Sequence, residues 1–137
     1  MNAVVIGAAK PGYAEAITRK LIKNGFKVIG TYDTEFEENA TKLSKEFSSE
    51  KLTLKSLDLS SRNDLKSFVD DIVDPIDAFV FAQFYFDMEN PDDFNHEIWD
   101  KSIAINLTAP NYLIHELKNK MNAGSSIVIL TSTEGFR

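Results

Sequence analysis

Cysteine is absent from the 137 residues, which excludes disulfides, thiolate metal sites and a thiol nucleophile. Positive charge is scarce beside negative. There are 15 Lys and Arg against 21 Asp and Glu, a net charge of -6 and a pI of about 4.9. A surface of that sign repels a phosphate backbone, so nucleic acid is not expected as a partner. Long apolar runs are also missing. None approaches the roughly 20 residues needed to span a bilayer, and the apolar stretch after Met1 is too short, and too bare of preceding charge, for a secretory leader. No membrane association is expected, and the cytoplasm is the expected compartment. Triad-like chemistry is missing as well: His96 and His115 have no Ser or carboxylate partner at a suitable spacing. The acids Glu35, Glu37, Glu38, Asp87, Glu89, Asp92 and Asp93 read as solvated faces, so no metal site is expected. With 43% hydrophobic residues, the chain has material for one core and too little length for two domains.

What is present is concentrated in the first fourteen residues. The apolar Val4-Val5-Ile6 runs into a glycine turn, Gly7-Ala8-Ala9-Lys10-Pro11-Gly12-Tyr13-Ala14. A helix follows with Ile17, Leu21 and Ile22 on one face and stops at Asn24-Gly25, before a second strand at residues 26–31. Strand, glycine turn, helix and strand open a βαβ unit suited to a dinucleotide. Gly7 permits the sharp turn and Gly12 lets the backbone approach a pyrophosphate. Ala14 is small enough for the helix to pack on the strand, and the helix N-terminus offers N–H groups to the anion.

The alternation continues along the chain. Residues 35–48 read as a charged surface helix and residues 52–57 as a half-buried strand ending at Asp58. Ser60 or Ser61 caps the next helix, whose Leu65, Phe68, Val69 and Ile72 recur at helical spacing. Pro75 ends it, and residues 76–82 form a continuous apolar strand suited to a sheet centre. Phe79, Phe81, Phe84, Tyr85 and Phe86 read mainly as core, the last three also able to wall a pocket. A long helix spans residues 96–121, with Pro110 kinking it or sitting where its missing N–H is tolerated. Residues 122–126 turn into a last strand at 127–131. Five strands and four helices in alternation, with right-handed crossovers, imply an α/β, three-layer, doubly wound parallel sheet in the order 3-2-1-4-5. A receiver-like regulatory domain is disfavoured because residues 6–10 hold no acid.

These motifs in this order resemble the short-chain dehydrogenase/reductase family. Gly7 to Ala14 is similar to its TGxxxGxG turn, with Ile6 in the place of Thr, Pro11 added, and Ala14 for the last glycine. Asp58-Leu59 resembles the pair that holds the adenine ring. Phe81-Ala82-Gln83-Phe84 stands where the family has Asn-Asn-Ala-Gly. Trp99-Asp100 and Ile105-Asn106-Leu107-Thr108 resemble the long-helix motif with the family's catalytic Asn, and residues 126–135 the fifth strand with its catalytic Ser, here Ser132. The resemblance runs the whole chain and covers about the first half of the family's domain. It implies a single Rossmann-type domain over 1–137, expected to be truncated after the fifth strand, from an NAD(P)-dependent oxidoreductase acting on a carbonyl or alcohol. It also implies a homo-oligomer formed through the helix at 96–121.

By the same resemblance, Gly7, Ala9, Lys10, Gly12, Tyr13, Tyr32, Asp33, Asp58, Leu59 and Ala82 are the expected dinucleotide contacts, and Ser132 and Asn106 the expected catalytic residues. Each has a plainer reading. Ser132 can satisfy a turn, Asn106 can be structural, and Asp58 can be a helix cap. The choice between NAD and NADP is open, because Asp33 suits ribose hydroxyls, Lys10 suits a 2′-phosphate, and Tyr32 takes the family's acidic position. The family's Tyr-x-x-x-Lys pair is not in the chain. Four residues beyond Tyr13, Tyr32, Tyr85 and Tyr112 stand Ile17, Phe36, Glu89 and Glu116. The chain alone is therefore expected to be inactive, either as part of a longer enzyme or as a silent nucleotide-binding or interaction module.

Overall fold

Val4, Val5 and Ile6 are fully buried and complete β1 (Asn2–Ile6), the central strand of the sheet. The computed structural model describes residues 1–73, 75–87 and 94–132. In them β1 leads through the glycine turn to α1 (Tyr13–Lys23), then β2 (Lys27–Tyr32), a 3₁₀ turn (Thr34–Phe36) and α2 (Glu37–Glu46). β3 (Leu52–Ser56), α3 (Arg62–Asp71) and β4 (Ile76–Phe81) follow. The last third is α4 (His96–Ile103), a π-helical turn (Ala104–Thr108), α5 (Ala109–Leu117), a 3₁₀ turn (Lys118–Lys120) and β5 (Met121–Ile129). The strands pair in parallel in the order β3-β2-β1-β4-β5, so the order reverses between β1 and β4. That is the doubly wound sheet expected from the alternation.

The two-residue period of a strand divides the core between two layers. Val4, Ile6, Phe79 and Phe81 pack with Leu65 and Phe68 of α3 and Leu113 and Leu117 of α5. Ala3, Val5 and Val80 pack on the other face with Ala14 of α1 and Ala40 and Leu43 of α2. Gly30 in β2 marks where the layers close most tightly. A Cβ there would stand 2.4 Å from Ala8 Cβ and 2.8 Å from Leu54 Cδ2. The glycine turn therefore rests directly on β2.

Several boundaries differ from the sequence reading. β2 lies one residue later than residues 26–31, because Lys27, not Phe26, is the first residue in register with β1. The stretch expected as a turn at 122–126 is part of β5. Met121 pairs with Ile76 and Ser126 with Ala78, five steps along β5 against two along β4, and Gly124 at φ +85° lies within the irregularity. The polar residues form a bulge inside the strand, not a turn before it. The helix expected at 96–121 ends sooner and is interrupted by the π-helical turn at Ala104–Thr108; Pro110 follows directly, in the first turn of α5, the second of its two expected placements, where a missing N–H is tolerated. Phe84 and Phe86 are not core: they are 45% and 72% exposed, whereas Phe79 and Phe81 are buried. Glu89, Asp92, Asp93, Glu134 and Gly135 lie outside the described residues.

Candidate dinucleotide site

The reversal of strand order leaves a crevice at the carboxyl ends of β1 and β4, where open α/β sheets bind ligands. The glycine turn forms one wall. Gly7 has φ +84° and Gly12 φ +97°, values that a side chain strains. Gly7 N–H donates to Thr31 Oγ1 at 3.2 Å, and a Cβ on Gly7 would stand 2.8 Å from Gln83 Oε1. A Cβ on Gly12 would meet nothing within 4 Å. Gly7 is thus demanded by crowding, while Gly12 faces open space at the start of α1. That is the cradle an anion requires.

Polar side chains behind the turn hold its shape. The buried Thr18 hydroxyl donates to the carbonyls of Ala8 at 3.0 Å and Ala14 at 3.1 Å. Asn39 Nδ2 donates to the Ala9 carbonyl and to Glu15 Oε2, both at 2.8 Å. Those bonds, with the Arg19 guanidinium at 2.8 Å, hold the Glu15 carboxyl below the usual carboxylate range. Arg19 also pairs with Glu46 of α2. The sequence reading missed Thr18 and Asn39. Thr18 stands on the apolar face of α1 at helical spacing from Ala14, Leu21 and Ile22, a placement that could have marked it as buried, whereas nothing in the spacing of Asn39 sets it apart from a surface position.

Opposite the turn, Lys10 Nζ lies 3.6 Å from the centroid of the Phe84 ring and donates to the Phe84 carbonyl at 3.4 Å. The Tyr13 ring stacks on Phe84 with centroids 6.4 Å apart. Burial pulls the Lys10 ammonium below the ordinary lysine value, while the charges of Glu35 and Asp33 oppose that shift. Burial also pushes the Tyr13 phenol up. Phe84 thereby bridges the crevice from the exit of β4 to the turn.

The remaining expected contacts divide into groups. Gly7, Tyr32, Asp33 and Leu59 line one cavity of about 10 Å³ with Thr31, Leu57, Gln83 and Ile105. Asp33 Oδ1 caps the 3₁₀ turn, accepting from Glu35 N–H at 3.2 Å and Thr34 Oγ1 at 3.3 Å. Asp58 is exposed, and its Oδ1 accepts from Ser60 N–H at 2.8 Å and Ser60 Oγ at 2.6 Å, while Ser61 caps α3. Ala82 is buried and its N–H donates to the Ile6 carbonyl at 2.9 Å. Leu59 also lines a groove of about 190 Å³ with Arg62, Trp99, Asp100, Ile103 and Thr108.

Asn106 sits in the π-helical turn, a local widening found often at functional sites. Its side chain pairs with both backbone groups of Tyr85 beyond β4, and its Nδ2 also reaches Ser102 Oγ at 3.2 Å. Ser132 is exposed just past the end of β5. Among the described residues, no group of three or more His, Asp or Glu is placed to hold a metal ion, and no helix is long and apolar enough to cross a membrane.

A family model described as enoyl-(acyl carrier protein) reductase matches residues 7–137. No curated protein matches the chain. Among solved structures, BdcA in complex with NADPH is 24% identical with a TM-score of 0.88, covering 99% of this chain and 53% of that one. A blue fluorescent protein from a metagenomic library, also in complex with NADPH, is 23% identical with a TM-score of 0.90, covering 99% and 57%. A short chain dehydrogenase family protein from Francisella tularensis subsp. tularensis is 25% identical with a TM-score of 0.81, covering 98% and 52%. This chain thus spans a little over half the length of these structures. With the family-model match over residues 7–137, five parallel strands in the order 3-2-1-4-5 and a glycine turn at the switch point, the chain belongs to the short-chain dehydrogenase/reductase family.

Proposed function

We propose that this chain is the dinucleotide-binding part of a reductase that acts on a carbonyl or alcohol. The observation that carries the reading is Gly12, with φ +97° and open space where its Cβ would be, at the start of α1 beside the switch point. In this reading the pyrophosphate lies on the turn from Gly7 to Gly12, and the adenosine reaches toward Tyr32, Asp33, Asp58 and Leu59. NADPH is the tighter ligand, because Asp33 already caps a backbone turn and Lys10 stands at the mouth of the crevice. NADPH or NADP is bound in several structures of similar fold.

The bound nicotinamide supplies the hydride. This chain's residues bind and orient: Ser132 holds the substrate oxygen, and Asn106 fixes the backbone at the exit of β4. Neither replaces a tyrosine proton donor, and general acid–base catalysis contributes ~10²–10⁴-fold. The chain alone therefore binds without turning over. A second copy packs on the half-exposed row of Trp99, Ile103 and Leu107 along α4 and the π-helical turn.

The silent-module reading draws on one specific feature. Gln83 and Phe84 occupy positions where the resemblance places Ala and Gly, and Phe84 bridges the crevice. Calorimetry with NADH and NADPH tests the main reading. Binding should occur and should be abolished in Gly12→Val, whose side chain enters the pyrophosphate's place. No heat from either nucleotide, with the protein folded, would make the turn only structural. Oxidation of NADPH with a carbonyl panel, sustained by the pure chain and lost in Ser132→Ala, would overturn the claim that it is inactive alone.

A further inference from the structure

Gln83 lines the cavity at the exit of β1, and the fold leaves one of its polar atoms bare. Gln83 is 9% exposed, and its carboxamide Oε1 has no hydrogen-bond partner among the described residues. Buried acceptors are almost always paired, so a bare one calls for a donor from elsewhere. No group on the walls pairs with it: the Thr31 hydroxyl accepts from Gly7 N–H, Asp33 brings a carboxylate turned to its own cap, Leu57, Leu59 and Ile105 are apolar, and Tyr32 completes the lining without a bond to Gln83.

The space left narrows the identity of the donor. A cavity of about 10 Å³ has room for about one oxygen-sized group. The group must be a donor as well as small, which excludes a guanidinium. A neutral hydroxyl fits both limits. Gln83 Oε1 also stands 2.8 Å from where a Cβ on Gly7 would be, so it covers the turn at its first glycine. We propose that Gln83 reads the adenosine ribose of the bound dinucleotide, its Oε1 accepting a hydrogen bond from a ribose hydroxyl. The proposal rests on the dinucleotide reading and adds a residue that takes the family's Ala position. A carboxylate here would repel a 2′-phosphate, but the neutral carboxamide does not, so this contact serves NADH and NADPH alike.

Calorimetry with ADP-ribose and its 2′-deoxy and 3′-deoxy adenosine-ribose analogues tests this on the full chain. The parent should lose roughly three- to tenfold in affinity for the analogue that lacks the partner hydroxyl, the range for one neutral hydrogen bond. Gln83→Leu, shown folded by circular dichroism, should weaken ADP-ribose by the same factor and bind all three alike. Equal binding of the three ligands by the parent overturns the proposal while leaving the dinucleotide reading intact. Absence of any binding by the parent, NADPH included, overturns both. The analogue comparison needs no variant, so it decides the matter even if Gln83→Leu does not fold.

Discussion

Asn106 and Tyr85 are joined as two neighbouring strands would be. Asn106 Oδ1 accepts from Tyr85 N–H at 2.8 Å, and Asn106 Nδ2 donates to the Tyr85 carbonyl at 2.8 Å. One side chain thus supplies both halves of a ladder contact where β4 has ended. The π-helical turn at Ala104–Thr108 carries that side chain, so a departure from α-helical winding organises the segment that leaves β4 for the crevice.

Replacing Asn106 with Leu should remove both bonds. Each neutral hydrogen bond is worth about 1 kcal/mol, and exposure at this site brings the pair down to about 1 kcal/mol in total. Urea unfolding should report that loss, and hydrogen exchange at the Tyr85 amide should accelerate well beyond the global change. An unchanged Tyr85 exchange rate would show that the segment is held by other contacts.

Gly30→Ala should be more damaging than its size suggests. The new Cβ meets Ala8 Cβ at 2.4 Å and Leu54 Cδ2 at 2.8 Å. Ala8 cannot rotate away, because its Cβ is fixed to the turn. Overpacking of this kind costs about 1–3 kcal/mol, and the upper end is expected here. The displaced turn should also weaken nucleotide binding. Denaturant melts and NADPH titration of the folded fraction check the two effects separately.

Asp77 should make stability depend on acid. Its carboxylate accepts from Asn122 Nδ2 and from Asn2 N–H, both at 2.7 Å, and those bonds hold its pKa below the ordinary aspartate value. A lowered folded-state pKa gives stability that is present above the unfolded value of about 3.9 and is lost as pH falls through the folded one. Asp77→Ala should therefore be less stable than the parent at pH 7, with the gap closing below about pH 4. A gap independent of pH would assign the loss to packing.

The row Trp99, Ile103 and Leu107 should govern assembly. They are 49%, 36% and 55% exposed and are spaced by four residues. Leu107→Asp should shift sedimentation from a dimer or larger species toward monomer without loss of helix. A parent that sediments as a monomer at high concentration would remove this face from consideration.

The periodicities of the sequence were enough to determine the architecture. Val4 to Ile6 and residues 76–82 are short, continuous and apolar, Leu65, Phe68, Val69 and Ile72 repeat at helical spacing, and glycine marks the turn, so local pattern specified element type and alternation specified a parallel sheet. The glycine turn was legible for the same reason, since positive φ restricts residue choice locally. Other features depended on what lies across space. That Asn-Ala-Gly-Ser-Ser continues a strand was decided by pairing with β4, and that Phe84 leaves the core by the space beside Lys10 and Tyr13. The bonds from Thr18 to the Ala8 carbonyl, from Asn39 to the Ala9 carbonyl and between Asn106 and Tyr85 reach turns or other elements, and no spacing within the chain records them. Gln83 shows the limit most clearly. Its residue type was visible as a departure from the family's Ala, but only its burial without a partner, a property of the tertiary structure, singles it out as the contact proposed above.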